Sequence, residues 1–190
     1  MEEEGHTALV PSKRLVTSAK RKGDPKSSRK GEPSFFMSES MKRLSTPWSV
    51  ASIRASQIDP MALPAGVILD AAAGSGIQLI AFSKILKRPG LGVEIDYDVA
   101  KLCAANMHLN SEGDVQRSLD RVLVGDGCSA ESVVSTYWSS LRDAGTRAHP
   151  PIAMLHIDPA RPRDAQNHSL DEMEPDIKSV LKGWSSHLQT

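Results

Sequence analysis

Val67-Ile-Leu-Asp70-Ala-Ala-Ala-Gly74-Ser-Gly76-Ile77 is the stretch on which the fold turns. A short apolar run ends in a carboxylate, passes through three alanines and two glycines, and opens at Ile77 into a helical pattern. Glycines at 74 and 76 let the backbone bend tightly and approach a ligand without side-chain obstruction. A helix beginning near Gly76 would point its unpaired N–H groups at that ligand. A dinucleotide fingerprint requires Gly-x-Gly-x-x-Gly, with the third glycine packing helix on strand. Counted from Gly74, that third position is Leu79, and no Gly-Lys-Ser/Thr phosphate loop follows. The spacing therefore disfavours a nicotinamide-dependent oxidoreductase.

Working outward, the chain beyond residue 60 alternates between short apolar runs and amphipathic stretches, the pattern of a parallel sheet with crossover helices. The runs are 66–69, 91–93, 121–124 and 152–157, near-continuously apolar as strands covered on both faces should be. Each is followed by an acid: Asp70, Glu94, Asp126 and Asp158. In a parallel sheet these four share the carboxyl edge, where open α/β sheets bind their ligands. Helices are expected over 77–87, 98–110 and 130–141, and again after Pro175, where Ile177, Val180, Leu181, Trp184 and Leu188 form one stripe. Cys103 reads as a packed core thiol, and His156 as a structural residue on the fourth strand.

The 190 residues suffice for one domain with a sizeable core. A zero net charge hides an uneven distribution: residues 1–43 hold ten Lys/Arg against six Asp/Glu, and residues 44–190 hold thirteen against seventeen. The basic stretch 13–30, rich in Ser, Gly and Pro without apolar periodicity, is predicted to be disordered, either as an arm that attracts nucleic acid or as a solvated tail. No run of about 18 apolar residues suggests a membrane span. The acidic start resembles no secretory or transit peptide. Cys103 and Cys128 fit no metal-ligand spacing. The expectation is a cytoplasmic protein with free thiols.

Glu94 lies 24 residues after Asp70, in Gly92-Val-Glu94-Ile-Asp96. An acid at that place can accept hydrogen bonds from both hydroxyls of a ribose. The acid of Gly125-Asp126-Gly127 suits an adenine amino group, which needs an acceptor. A ligand with a ribose, an exocyclic amine and positive charge, but no phosphate, fits such an edge, and S-adenosylmethionine has those features. Asp96 could equally cap the next helix, and Asp126 could simply cap a turn.

These segments resemble motifs I, II and III of class I S-adenosylmethionine-dependent methyltransferases. The fourth run, His156-Ile-Asp158-Pro159-Ala160-Arg161, is similar to the Asp-Pro-Ala-Arg form of motif IV. That form belongs to a group of predicted RNA methyltransferases, often with THUMP-like domains. Thr46-Pro-Trp-Ser-Val-Ala-Ser-Ile-Arg54 resembles the segment preceding their motif I, and the likeness spans about residues 44–188. It implies a Rossmann-like sheet and S-adenosyl-L-methionine as cofactor, with tRNA or rRNA as the partner class. Cofactor contacts are implied for Asp70, Ala72, Gly74, Gly76, Glu94, Ile95, Asp126 and Thr46. Substrate-side roles are implied for Asp158, Pro159 and Arg161. Thr46 or Arg54 would reach the cofactor's carboxylate; the competing reading is an ordinary amphipathic helix, capped by Thr46 and packed through Val50 and Ile53. Ala160 and Arg161 replace the second proline and the aromatic of related amino-methyltransferases, removing a stacking platform. Arg161 and Arg163 could pair a phosphate, or Arg161 the acidic stretch 171–174.

The family sheet has seven strands in the order 3-2-1-4-5-7-6, whereas the sequence offers four, predicting the order 3-2-1-4. The expected organisation is a tail over 1–43 and a C-terminally incomplete cofactor-binding domain over 44–190. Its fourth strand would be an open edge inviting self-association or a completing partner. Two functions stay open: a methyltransferase acting on RNA, or a cofactor-binding remnant without independent activity.

Overall fold

The computed structural model describes residues 5–111, 117–159, 173 and 175–188. Their centre is a sheet in which β2 (Val67–Asp70), β3 (Gly90–Glu94), β4 (Arg121–Val124) and β5 (Ile152–His156) run parallel. With the N-terminal β1 (Thr7–Leu9) the spatial order is β1-β4-β3-β2-β5. The four expected strands thus lie third-second-first-fourth, as anticipated. The fifth was not anticipated: β1 adds antiparallel to the outer side of β4, pairing Thr7 with Val124 and Leu9 with Val122. The architecture is α/β, with a mixed five-stranded sheet and flanking helices.

Alternation along the strands sorts the core into two layers. Ile68 and Val122 face α3 (Trp48–Ser56), α4 (Ile77–Leu86) and α5 (Tyr97–Leu109), whose Ala51, Phe82 and Cys103 close that side. Val67, Leu69, Leu91, Val93 and Leu123 face α6 (Ala130–Asp143) and α7 (Ile177–Trp184), which contribute Val133, Tyr137 and Trp184. α4 lies between α3 and the sheet, which is why it is apolar almost all round. Its buried Gln78 is tied to α3, donating from Nε2 to the Ala51 carbonyl (3.3 Å) and accepting from Arg54 Nη1 (3.3 Å). α3 buries Ala51 and Ala55, whereas Val50 and Ile53 stand 41% and 58% exposed. The packing face expected for this helix is therefore corrected: its small residues meet α4, because two close-packed backbones leave no room for branched ones.

The reading of 1–43 as a disordered tail is also corrected for residues 5–43. After β1, α1 (Lys13–Lys20) lays Leu15, Val16 and Ala19 against Leu102, Ala105 and Leu109 of α5. A bridge between Lys26 and Phe35 then closes a hairpin, with reciprocal backbone bonds of 2.9 Å. Phe35 and Phe36, ahead of the short helix α2 (Glu39–Leu44), are both buried. Phe35 joins the cluster that contains Ala51 and Cys103, so no domain boundary falls at residue 44. Three apolar residues on one helical turn are too few to register as periodicity within a Lys- and Ser-rich stretch, yet suffice when a complementary groove already exists.

Asn106 holds this segment in place. It is fully buried on the core stripe of α5, accepts from the Phe36 N–H (2.7 Å), and donates to the carbonyls of Phe36 and Ser75 (both 2.9 Å). Asn110 adds a bond to the Ser34 carbonyl (3.0 Å). On the opposite side of the sheet, an isolated parallel bridge between Ile152 and Leu188 covers the start of the outer edge of β5. That edge is less open than the sequence suggested. Trp184 Nε1 donates to the Gly127 carbonyl (2.8 Å), which seats α7 against the loop after β4.

Asn106→Ala strands three buried backbone groups, each worth roughly 1–3 kcal/mol when unpaired, part of which relaxation recovers. Urea unfolding should register a loss of about 2–4 kcal/mol. A change below about 0.5 kcal/mol would mean that residues 34–36 are not docked through this side chain.

Candidate functional site

The carboxyl ends of β2, β3, β4 and β5 open into a single cavity of about 620 Å³, well within the range of about 300–1,000 Å³ usual for small-molecule sites. All four strand-end acids line it, together with Ala72, Gly74, Ile95, Thr46, Pro159 and His156. The sequence-predicted positions are thus brought together, with two exceptions. Gly76 is not part of the wall, and Arg161 lies outside the described residues.

Glu94 organises the rim. Its Oε2 accepts from the Gly74 N–H (3.0 Å) and its Oε1 from the Asp96 N–H (2.9 Å). One carboxylate thereby fixes the glycine loop after β2 to the turn after β3. A carboxylate offers about four lone-pair sites, so roughly two remain for a ligand. Asp96 itself is the cap of α5, accepting from Asp98 N–H (2.8 Å) and Val99 N–H (3.0 Å), which settles its role as local. Beside Glu94, Ile95 stands 74% exposed at the rim, a large apolar surface that lines the cavity.

The two glycines have different jobs. Gly74 sits at φ +51°, and a Cβ built on it would meet nothing within 4 Å, so its bare face looks into open space. Gly76 sits at φ +79°, and its Cβ would come within 2.8 Å of Cys103 Sγ. Gly76 therefore serves close packing of loop on α5 and stands outside the cavity wall. Burial, and after it the negative Asp70 and Glu94, push the Cys103 thiol well above its ordinary value. Burial, reinforced by a hydrogen bond with Asp126, raises Cys128 to about 11. Neither cysteine is a thiolate at neutral pH.

At the floor, Asp70 is almost fully buried and accepts from the Ala72 N–H (3.2 Å). His156 Nδ1, itself buried, faces the Asp70 carboxylate at 3.3 Å from Oδ2 and makes no hydrogen bond among the described residues. The imidazole is wedged against the Phe82 ring at 5.0 Å. His156 thus lines the cavity while its Nδ1 is turned to Asp70 at the floor.

Asp126 accepts from the Cys128 N–H (2.9 Å), an Asx-type turn that shapes the loop. From the N-terminal strand, His6 Nε2 donates to the Asp126 carbonyl (2.9 Å), and its Nδ1 accepts from the Ser132 hydroxyl (2.8 Å). Gly125, at φ +151°, is glycine because a Cβ would lie 2.3 Å from the His6 ring.

Asp158 meets the N-terminal side of the site. Its Oδ2 accepts from Thr46 Oγ1–H and from Arg54 Nη1, each at 3.2 Å. Thr46 therefore does not cap α3, whose first turn follows Pro47. The hydroxyl is drawn across the cavity mouth instead. Both members of the Arg54–Asp158 pair are about half exposed, so the contact is a weak one.

Among the described residues, no three His, Cys, Asp or Glu side chains converge as a metal site, and no helix is long and apolar enough to cross a membrane. Comparison with protein-family models and with curated proteins finds no match.

The contrast between the glycines is measurable. Gly74→Ala should cost about 1–2 kcal/mol of stability, the left-handed backbone penalty alone. Gly76→Ala should cost about 1–3 kcal/mol more, from overpacking against Cys103. Equal losses in thermal or urea unfolding would contradict this division of labour.

Proposed function

We propose that the cavity binds S-adenosylmethionine and that the chain is a methyltransferase of the class I, Rossmann-like type acting on RNA. The observation that carries this reading is Glu94. A carboxylate held rigid by two backbone N–H groups, with acceptor capacity left over and an exposed Ile95 beside it, suits a ribose diol with an aromatic base lying against the aliphatic side chain.

The rest of the wall fits the same ligand. The bare face of Gly74 admits a ligand close to the backbone. Acids at every strand end favour a cationic ligand and oppose a pyrophosphate. The Asp126 loop offers acceptors for an exocyclic amine.

When bound, S-adenosylmethionine supplies an electrophilic methyl group. The chain's own contribution is alignment, since holding reactants in line lowers the barrier to a displacement more than any acid or base could here. Asp158 and Pro159 sit where a nucleophile would enter, and the Asp158 carboxylate can accept a hydrogen bond from an amine or hydroxyl and orient it. Arg54, bonded to Asp158 and Gln78 of the cavity wall, is a cation available to a ligand carboxylate.

A specific observation supports a second reading, cofactor binding without transfer. Asp158 is already engaged by Thr46 and Arg54, and a substrate would have to displace one of them.

Isothermal titration separates this proposal from a dinucleotide site. S-adenosylmethionine or S-adenosylhomocysteine should bind at least tenfold more tightly than NAD. Glu94→Gln should weaken that binding by about 1.5–3 kcal/mol, the scale of hydrogen bonds to a charged group. Equal affinity for both ligands, or no loss in the variant, would overturn the reading. Transfer of labelled methyl groups to bulk RNA distinguishes the enzyme from the non-catalytic binder.

A further inference from the structure

We propose that the folded segment between residues 13 and 32 is a docking surface for the phosphate backbone of single-stranded RNA, fixed beside the cavity mouth. The inference rests on the proposed function only for what that RNA would then deliver to the cavity; the surface itself stands on other observations.

The first is charge. Residues 13–32 contain eight Lys/Arg and two acids, Asp24 and Glu32. α1 and the turn after it carry Lys13, Arg14, Lys20, Arg21 and Lys22; the hairpin carries Lys26, Arg29 and Lys30. All eight are exposed. Among the described residues, only Lys22 of these pairs with an acid, Asp98 at 3.8 Å. Most of this charge is therefore not spent on the fold. It exists within a chain of zero net charge, so the basic face is local and not a consequence of overall composition.

The second is rigidity. A flexible basic tail says little about its partner, but this segment is folded onto the domain. Leu15, Val16 and Ala19 hold α1 to α5, and Phe36 is stapled by Asn106. Cations held in place lose less entropy when they pair with phosphates than the same cations on a free tail.

The third is position. β1 runs away from the carboxyl edge of the sheet, and α1 returns toward it, so that Lys22 reaches Asp98 in the first turn of α5. The next residue, Val99, lines the cavity. At the other end of the hairpin, Asn106 joins Phe36 to Ser75 of the glycine loop, which lines the cavity as well. Both attachment points of the basic segment are thus at the rim.

The apolar face of α1 decides against an anionic membrane. A helix that binds at a lipid interface needs exposed apolar residues to insert, and here they are consumed by α5. The cavity edge itself is acidic, so a polyanion would lie along the basic segment and project only a nucleoside toward the acids.

The test uses the full chain and a fluorescently labelled 20-nucleotide single-stranded RNA of mixed sequence, with anisotropy followed from low to moderate salt. Lys20, Arg21, Arg29 and Lys30 are changed together to Ser. A control changes the equally exposed Lys84, Arg142 and Lys182 to Ser. Single-strand binding has a salt slope of about −0.7 per phosphate contact. The fourfold variant should lose at least tenfold in affinity near 0.1 M salt and flatten the slope by about 2–3, while the control stays within about twofold. S-adenosylmethionine affinity of the fourfold variant should be unchanged, which separates failure here from failure of the cofactor reading. Unchanged RNA affinity and slope, an equal loss in the control, or equal binding to polyglutamate or anionic vesicles would each overturn the proposal.

Discussion

The structure depends on one carboxylate making two backbone bonds. Glu94 ends β3 and accepts from Gly74 on one side and Asp96 on the other. Without it, the glycine loop and the turn leading into α5 would be separate excursions from neighbouring strands, each with an unpaired N–H. With it they form one rim, and that rim defines the cavity. The Ala73 N–H, bonded to the Val93 carbonyl at 2.9 Å, continues the same seam below. A carboxylate so placed is charge-assisted on both oxygens and therefore among the stronger hydrogen bonds available to a loop.

A second layer of order comes from side chains that bond backbone rather than one another. Asn106 joins the N-terminal segment to the glycine loop, His6 joins β1 to the Asp126 loop, and Gln78 joins α4 to α3. Each ends at or beside a residue of the cavity wall. The N-terminal segment is accordingly part of the scaffold that shapes the wall, and its removal would loosen the loops after β2 and β4 as well as the edge of the sheet.

Much of this was legible in the sequence. Apolar runs closed by acids located all four parallel strands to within about a residue, and the glycine–acid spacing brought Asp70, Gly74, Glu94 and Asp126 to one cavity. What escaped was encoded at a different scale. β1 has three residues and pairs with a strand more than a hundred positions away, so no local pattern could announce it. α1 docks with three apolar residues in a stretch whose average composition is that of a solvated tail. Gly76 and Gly74 look alike in a motif, but one faces a cysteine 27 positions further along the chain and the other faces open space; only the partner's position separates them. Asn106 did leave a signal that was not used: a polar residue on the same helical stripe as Val99, Cys103 and Met107 must find buried partners. Thr46 shows the limit of local rules, since a good cap preceding a proline was recruited across the cavity by Asp158.

The Asp158 contacts bear on how the site would work. Asp158, held by Thr46 and Arg54 from the N-terminal side, ties α3 to the cavity mouth. The bonds involved are long and half exposed, weak enough for a competing donor to replace. If the rim built by Glu94 receives a nucleoside, a crystal structure of the chain grown with S-adenosylhomocysteine will show it there. The expected result is ligand in this cavity, with both ribose hydroxyls within hydrogen-bonding distance of the Glu94 carboxylate and the base against Ile95. Ligand bound elsewhere, or in the cavity without contact to Glu94, would contradict it.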